Sequence, residues 1–188
     1  MLSKKQLEII NSEEQNIVVL AAAASGKTEV LTKRVEYILN KPNVKPEDVV
    51  VITFTNAAAE EMRERLNNPL GLFIGTIHSY ANYLLLANGI QTSKYLESDR
   101  FDELFEILEM NPSYMKKVKY LFLDEAFDGL DPMMRFVLKK ELANLLVEKE
   151  MTVIISSHNL REMEDICDSF GILEDYHMQA IIYVVELI

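Results

Sequence analysis

Cysteine is nearly absent: Cys167 stands alone among 188 residues. That excludes an internal disulfide framework and any metal site built from clustered thiolates. No apolar run approaches the roughly 20 residues that cross a bilayer. The opening MLSKKQLEIINSEEQ carries neither the apolar stretch nor the small-residue cleavage site of a secretory leader. These absences point to a reducing, cytoplasmic setting with no membrane span. Glycine is scarce at 6 residues, and no Gly/Ser-rich linker or internal repeat divides the chain. The length fits one ordinary domain and is short for two. Basic residues are scarce in the second half only. Residues 1–94 hold 10 Lys+Arg against 10 Asp+Glu, and residues 95–188 hold 9 against 20. The net charge of −11 therefore sits in the second half, which repels phosphate backbones and disfavours tight nucleic-acid binding by the whole chain.

What is present is globular: 49% hydrophobic and 26% charged residues, a balance that argues against disorder. Short apolar runs recur at IVVLA (17–21), VVVITFT (49–55), LFIGT (72–76), YLFLD (120–124) and TVIIS (152–156). Being rich in Val and Ile and almost free of polar residues, they read as strands of a parallel sheet covered on both faces. Between them, 27–39 and 130–149 place their apolar residues at spacings of 1, 3 and 4, a single helical stripe. Residues 57–66, 78–88, 101–109 and 159–168 are further helix candidates, and QTSKYLESD (91–99) reads as a connector. The last run, 181–188, fits an edge strand or a final helix. Such alternation predicts an α/β fold with right-handed crossovers.

The strongest chemical signal is AAAASGKT (21–28), which follows a strand and opens a helix. A helix start offers backbone N–H groups and a favourable dipole to phosphate oxygens. Lys27 is placed to reach β- and γ-phosphates, and the Thr28 hydroxyl to ligate Mg²⁺. Ala24, Ser25 and Gly26 would complete the phosphate cradle. Ala21 stands where such loops usually begin with glycine; left-handed dihedrals at Ala24 would cost on the order of 1–2 kcal/mol. The strand YLFLDE (120–125) ends in two carboxylates. Asp124 is assigned to Mg²⁺ and Glu125 to polarising the attacking water, a division that suits phosphoryl transfer. TVIISSHN (152–159) carries His158 to another strand end, where a γ-phosphate contact and a plain helix-start cap are the two readings. His177 is placed in a turn.

Residues 2–90 resemble the first RecA-like motor domain of UvrD/Rep-type superfamily 1 DNA helicases. LSKKQLEII resembles their Q motif, AAAASGKT motif I, VITFTNAAAEEMRERL (51–66) motif Ia and GTIHSYANYLL (75–85) motif Ib. The resemblance implies that Gln6 reads adenine and that Phe54, Thr55, Asn56, Thr76 and His78 contact single-stranded DNA. Phe54 would then be a stacking platform; as a residue on a buried strand it would equally be core. From about residue 118 the chain resembles the second half of an ABC-type ATPase domain. LFLDE is its Walker B, Gly129-Leu130-Asp131 its D-loop, His158 its switch histidine, and GILEDYHMQAII the hairpin that follows. Ala126 replaces the proline usual after the acid pair, Phe127 stands where a helicase has glutamine, and no LSGGQ-like segment is found.

The expectation is a three-layer α/β/α P-loop NTPase of RecA-like type, one domain over 1–188. Residues 1–117 would be helicase-like and 118–188 ABC-like, joined near 115–127. It would bind Mg·ATP and hydrolyse it weakly at best, without unwinding DNA alone. An engineered chimeric scaffold with a vestigial site, and a weak single-stranded DNA binding module, are the alternatives.

Overall fold

The computed structural model describes residues 2, 4–13, 16–21, 26–87, 89, 118–128, 130, 132–148, 151–157, 170–174 and 177–179. The helix candidates 101–109 and 159–168, the connector 91–99 and the run 181–188 lie outside the described residues. So do Ala24, Ser25, Gly129, Asp131 and His158.

Among the described residues seven strands form one sheet: β1 (Asn16–Ala21), β2 (Val49–Thr53), β3 (Phe73–Gly75), β4 (Tyr120–Asp124), β5 (Thr152–Ser157), β6 (Phe170–Glu174) and β7 (His177–Gln179). Their order is β3-β2-β4-β5-β1-β6-β7. Every pairing is parallel except the β6–β7 hairpin. Strands from the two halves of the sequence interleave, because β1 lies between β5 and β6 and β2 lies between β3 and β4. His177 opens β7 rather than sitting in a turn, because its residue pairs with Glu174 across the hairpin.

Five α-helices lie among the described residues: α1 (Lys4–Asn11), α2 (Lys27–Leu39), α3 (Asn56–Arg65), α4 (Ile77–Ala87) and α5 (Pro132–Glu148). Successive strand residues face opposite sides, and the core divides accordingly. On one face Val49, Val51, Phe122 and Ile154 pack with Ile9 and Ile10 of α1, Val30, Leu31, Val35 and Ile38 of α2, and Ala59 and Met62 of α3. On the other, Val50, Ile52, Leu121, Leu123, Val153 and Ile155 pack with Tyr80 and Leu84 of α4 and Leu142 of α5. The layers are thus α/β/α. The helical stripe read over 130–149 reaches the core at Leu142, while Met133 and Phe136 in the first turns of α5 stay exposed.

Arg34 is the largest buried polar side chain among the described residues. Its Nη1 donates to the Ile10 carbonyl at 2.6 Å, its guanidinium lies 5.3 Å from the Tyr37 ring centre, and burial lowers its pKa. The contact ties the last turn of α1 to α2. A cation there also answers the negative end of α1. Among the described residues no helix is long and apolar enough to cross a membrane.

Candidate nucleotide site

All strands from β1 to β6 run parallel, so their C-terminal ends share one edge of the sheet, the place where open α/β sheets bind ligands. Register aligns Thr53 of β2 with Asp124 of β4, Asp124 with Ser156 of β5, and Ser157 with Leu20 of β1. Three pieces of chain leave this edge close together: the start of α2, the turn after β4, and the end of β5.

α2 begins at Gly26, whose φ of 83° and ψ of 21° are left-handed. Glycine takes that conformation without a Cβ penalty. Gly26 supplies no side-chain cap, and its carbonyl starts the helix by accepting from Val30 N–H at 3.0 Å. Gln6, buried on α1, lies against this position: a Cβ on Gly26 would sit 3.6 Å from Gln6 Nε2. Gln6 and Gly26 are therefore neighbours. Lys27 and Thr28 form the first turn of α2. The Thr28 carbonyl accepts from Thr32 Oγ1 at 2.6 Å, a bond within the helix.

Asp124, only 6% exposed, accepts a hydrogen bond from Ser156 Oγ on Oδ1. Burial holds its carboxyl above the usual carboxylate range, the Ser156 bond works against this, and the neighbouring Glu125 adds to the rise. Glu125 departs from the strand with φ 52°. The other non-glycine residues at positive φ among the described ones are Asn67 and Asn68, a residue type that tolerates αL. Glutamate does not share that tolerance, and strain of this kind marks functional positions. Its N–H donates to the Ser156 carbonyl at 3.1 Å, and its carbonyl accepts from Asp128 N–H at 2.9 Å. That turn aims the side chain at α2, where Lys27 Nζ donates to Glu125 Oε1. Lysine and glutamate stand 98 positions apart in sequence. The motifs relate them only through a shared nucleotide; the structure joins them directly.

Thr28 and Asp124 are hard oxygen donors of the kind Mg²⁺ prefers. Among the described residues no group of three or more His, Cys, Asp or Glu could hold a metal by itself. A site with one carboxylate and one hydroxyl suits an ion that arrives with its nucleotide's phosphates. Ser156 is not among the site residues that the motifs single out. Its signal was a pair of serines closing an otherwise apolar strand.

The segments expected to touch DNA also lie on this edge. Phe54 is not core: it is 48% exposed, because its backbone N–H stays on the Asp124 carbonyl at 3.1 Å while the chain turns into α3. Thr55 Oγ1 accepts from Ala58 N–H at 3.1 Å and caps α3. Thr76 does the same for α4, accepting from Ser79 N–H at 3.3 Å. Asn56 opens α3 and His78 lies in the first turn of α4.

A largely parallel sheet in three layers, with a lysine-bearing helix start facing an acid pair at the strand ends, defines a P-loop NTPase-like nucleotide-binding domain. Residues 2–179 match the UvrD/REP helicase N-terminal domain, and the chain belongs to that family. DNA helicase II of Escherichia coli (strain K12) is 39% identical over 92 residues, 46% of this chain and 13% of that protein. DNA helicase II of Haemophilus influenzae is 35% identical over 136 residues, 68% of this chain and 18% of that protein. The chain thus spans 13–18% of the length of these relatives. In solved structures the fold resembles cbiO1 from Clostridium perfringens, part of the ABC transporter complex cbiONQ, with a TM-score of 0.51 and 15% identity over 88% of this chain and 75% of that one. It also resembles an inward-facing metal-chelate type ABC transporter, with a TM-score of 0.53 and 18% identity over 89% and 72%. At such identities the likeness concerns the fold alone.

Proposed function

We propose that this chain binds Mg·ATP at the strand-end edge and hydrolyses it at most weakly. The observation that carries the reading is the meeting of Lys27 with Glu125, next to Asp124. In this reading the backbone of Ala24, Ser25 and Gly26 wraps the phosphates and Lys27 neutralises the β- and γ-phosphate oxygens. Thr28 and Asp124 hold Mg²⁺, which when bound offsets charge on the phosphates. Glu125 accepts the proton of the attacking water, His158 reads the γ-phosphate, and Gln6 reads adenine. The alanines that replace loop glycine support weak turnover, as does the engagement of Glu125 by Lys27, since the base must leave the lysine before it meets water.

Calorimetric titration of Mg·ATP into the chain and into Lys27→Ala tests this. The parent is expected to give saturable heat, and the variant to bind at least about 30-fold more weakly, the loss of roughly 2 kcal/mol of charge-assisted hydrogen bonding. Absence of heat from both makes the site vestigial, as in an engineered scaffold. A chimeric origin is supported by the ABC-like motifs after residue 118 and by the charge break between the halves; the family match over 2–179 runs across the proposed join near 115–127.

Single-stranded DNA binding is the second reading, favoured by the exposed Phe54 beside two capped helix starts and opposed by the charge of −11. Fluorescent oligo(dT) is expected to bind weakly and to release as salt rises. Phe54→Ala should weaken it at least about fivefold, the lower end of a stacking contribution. Binding that ignores Phe54 removes this reading.

A further inference from the structure

Both carboxylates of the site depend on one residue that neither the motifs nor the family match assigns. Ser156 is 0% exposed and lies directly beside Asp124 in the parallel β4–β5 register, where neighbouring side chains share a face of the sheet. Its hydroxyl donates to Asp124 Oδ1, its carbonyl accepts from Glu125 N–H at 3.1 Å, and its Oγ lies 3.3 Å from the same N–H. One residue therefore orients the carboxylate of Asp124 and anchors the left-handed turn that turns Glu125 toward Lys27.

We propose that Ser156 is the positioning residue of the acid pair, fixing Asp124 so that Oδ2 points outward to take Mg²⁺ with the nucleotide. The inference rests on the Mg·ATP reading above. A buried carboxylate whose Oδ1 accepts from a fixed hydroxyl keeps its plane set and leaves Oδ2 free of that bond to meet an ion. Without that bond the carboxylate can rotate, and Oδ1 is left buried and unpaired. Apolar residues at this point of β5 would preserve the sheet as well as serine does, since β2 carries Val49–Ile52 buried in the same way. The hydroxyl answers to the acids, not to the strand.

The test is the affinity for ATP measured by calorimetry with Mg²⁺ and again in EDTA, in the parent, Ser156→Ala and Ser156→Thr. Groups that orient metal ligands typically set metal affinity by about 10–100-fold. S156A is expected to lose that factor with Mg²⁺ and to stay within about twofold of the parent in EDTA. S156T keeps the hydroxyl and is expected to restore most of the loss. If S156A does not fold, as judged by thermal melting, Ser156→Cys keeps the volume with a weaker donor and is expected to show an intermediate, Mg²⁺-specific loss. An S156A affinity equal to the parent with Mg²⁺, or a loss of equal size with and without it, overturns the role of Ser156 alone. A parent that binds no ATP in either buffer overturns the nucleotide reading and this inference together.

Discussion

Replacing Glu125 with glutamine is expected to slow ATP hydrolysis and tighten ADP binding at the same time. The slowing follows from the role proposed for the carboxylate. A positioned general base contributes about 10²–10⁴-fold, and the amide keeps the shape while losing the basicity. The tightening follows from the geometry. Lys27 Nζ donates to Glu125 Oε1, with the lysine side chain 11% and the glutamate side chain 32% exposed, so phosphate must compete with an internal anion for the same ammonium. A partly exposed pair of this kind contributes about 1 kcal/mol, so releasing it is worth roughly fivefold in affinity. ADP is the right probe because it is not turned over, which keeps the affinity separate from the rate. Phosphate release measured at saturating Mg·ATP, beside calorimetry with ADP, reads both arms. Unchanged ADP affinity shows that the lysine–glutamate pair does not obstruct the phosphate site. Undiminished turnover moves the base to another residue.

The strands were legible because they are covered on both sides. Runs such as VVVIT and YLFLD have no polar face, and only a sheet with helices above and below accommodates them. Their ends were legible to within a residue or two, and local hydrogen bonds explain the differences. The run 49–55 stops as a strand at Thr53 because Thr55 turns to cap α3, and that turn carries Phe54 into solvent directly after the buried Thr53. α1 was read only as a motif, since LSKKQLEII shows too few turns for its helical spacing to stand out. The site divides in a similar way. Gly26, Lys27 and Thr28 announce themselves locally, because a helix start after an apolar strand is a pattern of adjacent residues. The partnership of Lys27 with Glu125 depends on β1 and β4 flanking β5, which no local pattern encodes. Nor does Glu125-Ala126 resemble a turn sequence that would foretell φ 52°, because the conformation is imposed by the Ser156 carbonyl on one side and by the bond from Asp128 on the other.

Asp124 shows how such a site sets function against stability. Burial raises its pKa in the folded chain above the unfolded value. For an acid shifted upward, the stabilising contribution belongs to the protonated form: it is fully present below the unfolded pKa and is lost as pH rises through the folded one. At neutral pH the ionised Asp124 therefore opposes folding. Asp124→Asn removes the charge and keeps an oxygen to accept from Ser156 Oγ. In EDTA at pH 7 the variant is expected to melt above the parent, by about 2–4 °C for each kcal/mol relieved in a chain of this size. The gap should close as the pH is lowered below the unfolded carboxylate range, where both side chains are neutral. Mg·ATP should reverse the order. At 100 times its Kd a ligand stabilises the native state by about 2.7 kcal/mol, a gain open to the parent and reduced in a variant that lacks the carboxylate proposed to hold Mg²⁺. Melting curves of both proteins in EDTA and in saturating Mg·ATP check the crossing. An Asn variant that melts below the parent in EDTA at pH 7 contradicts the burial argument. A variant stabilised by Mg·ATP as much as the parent removes Asp124 from the metal site.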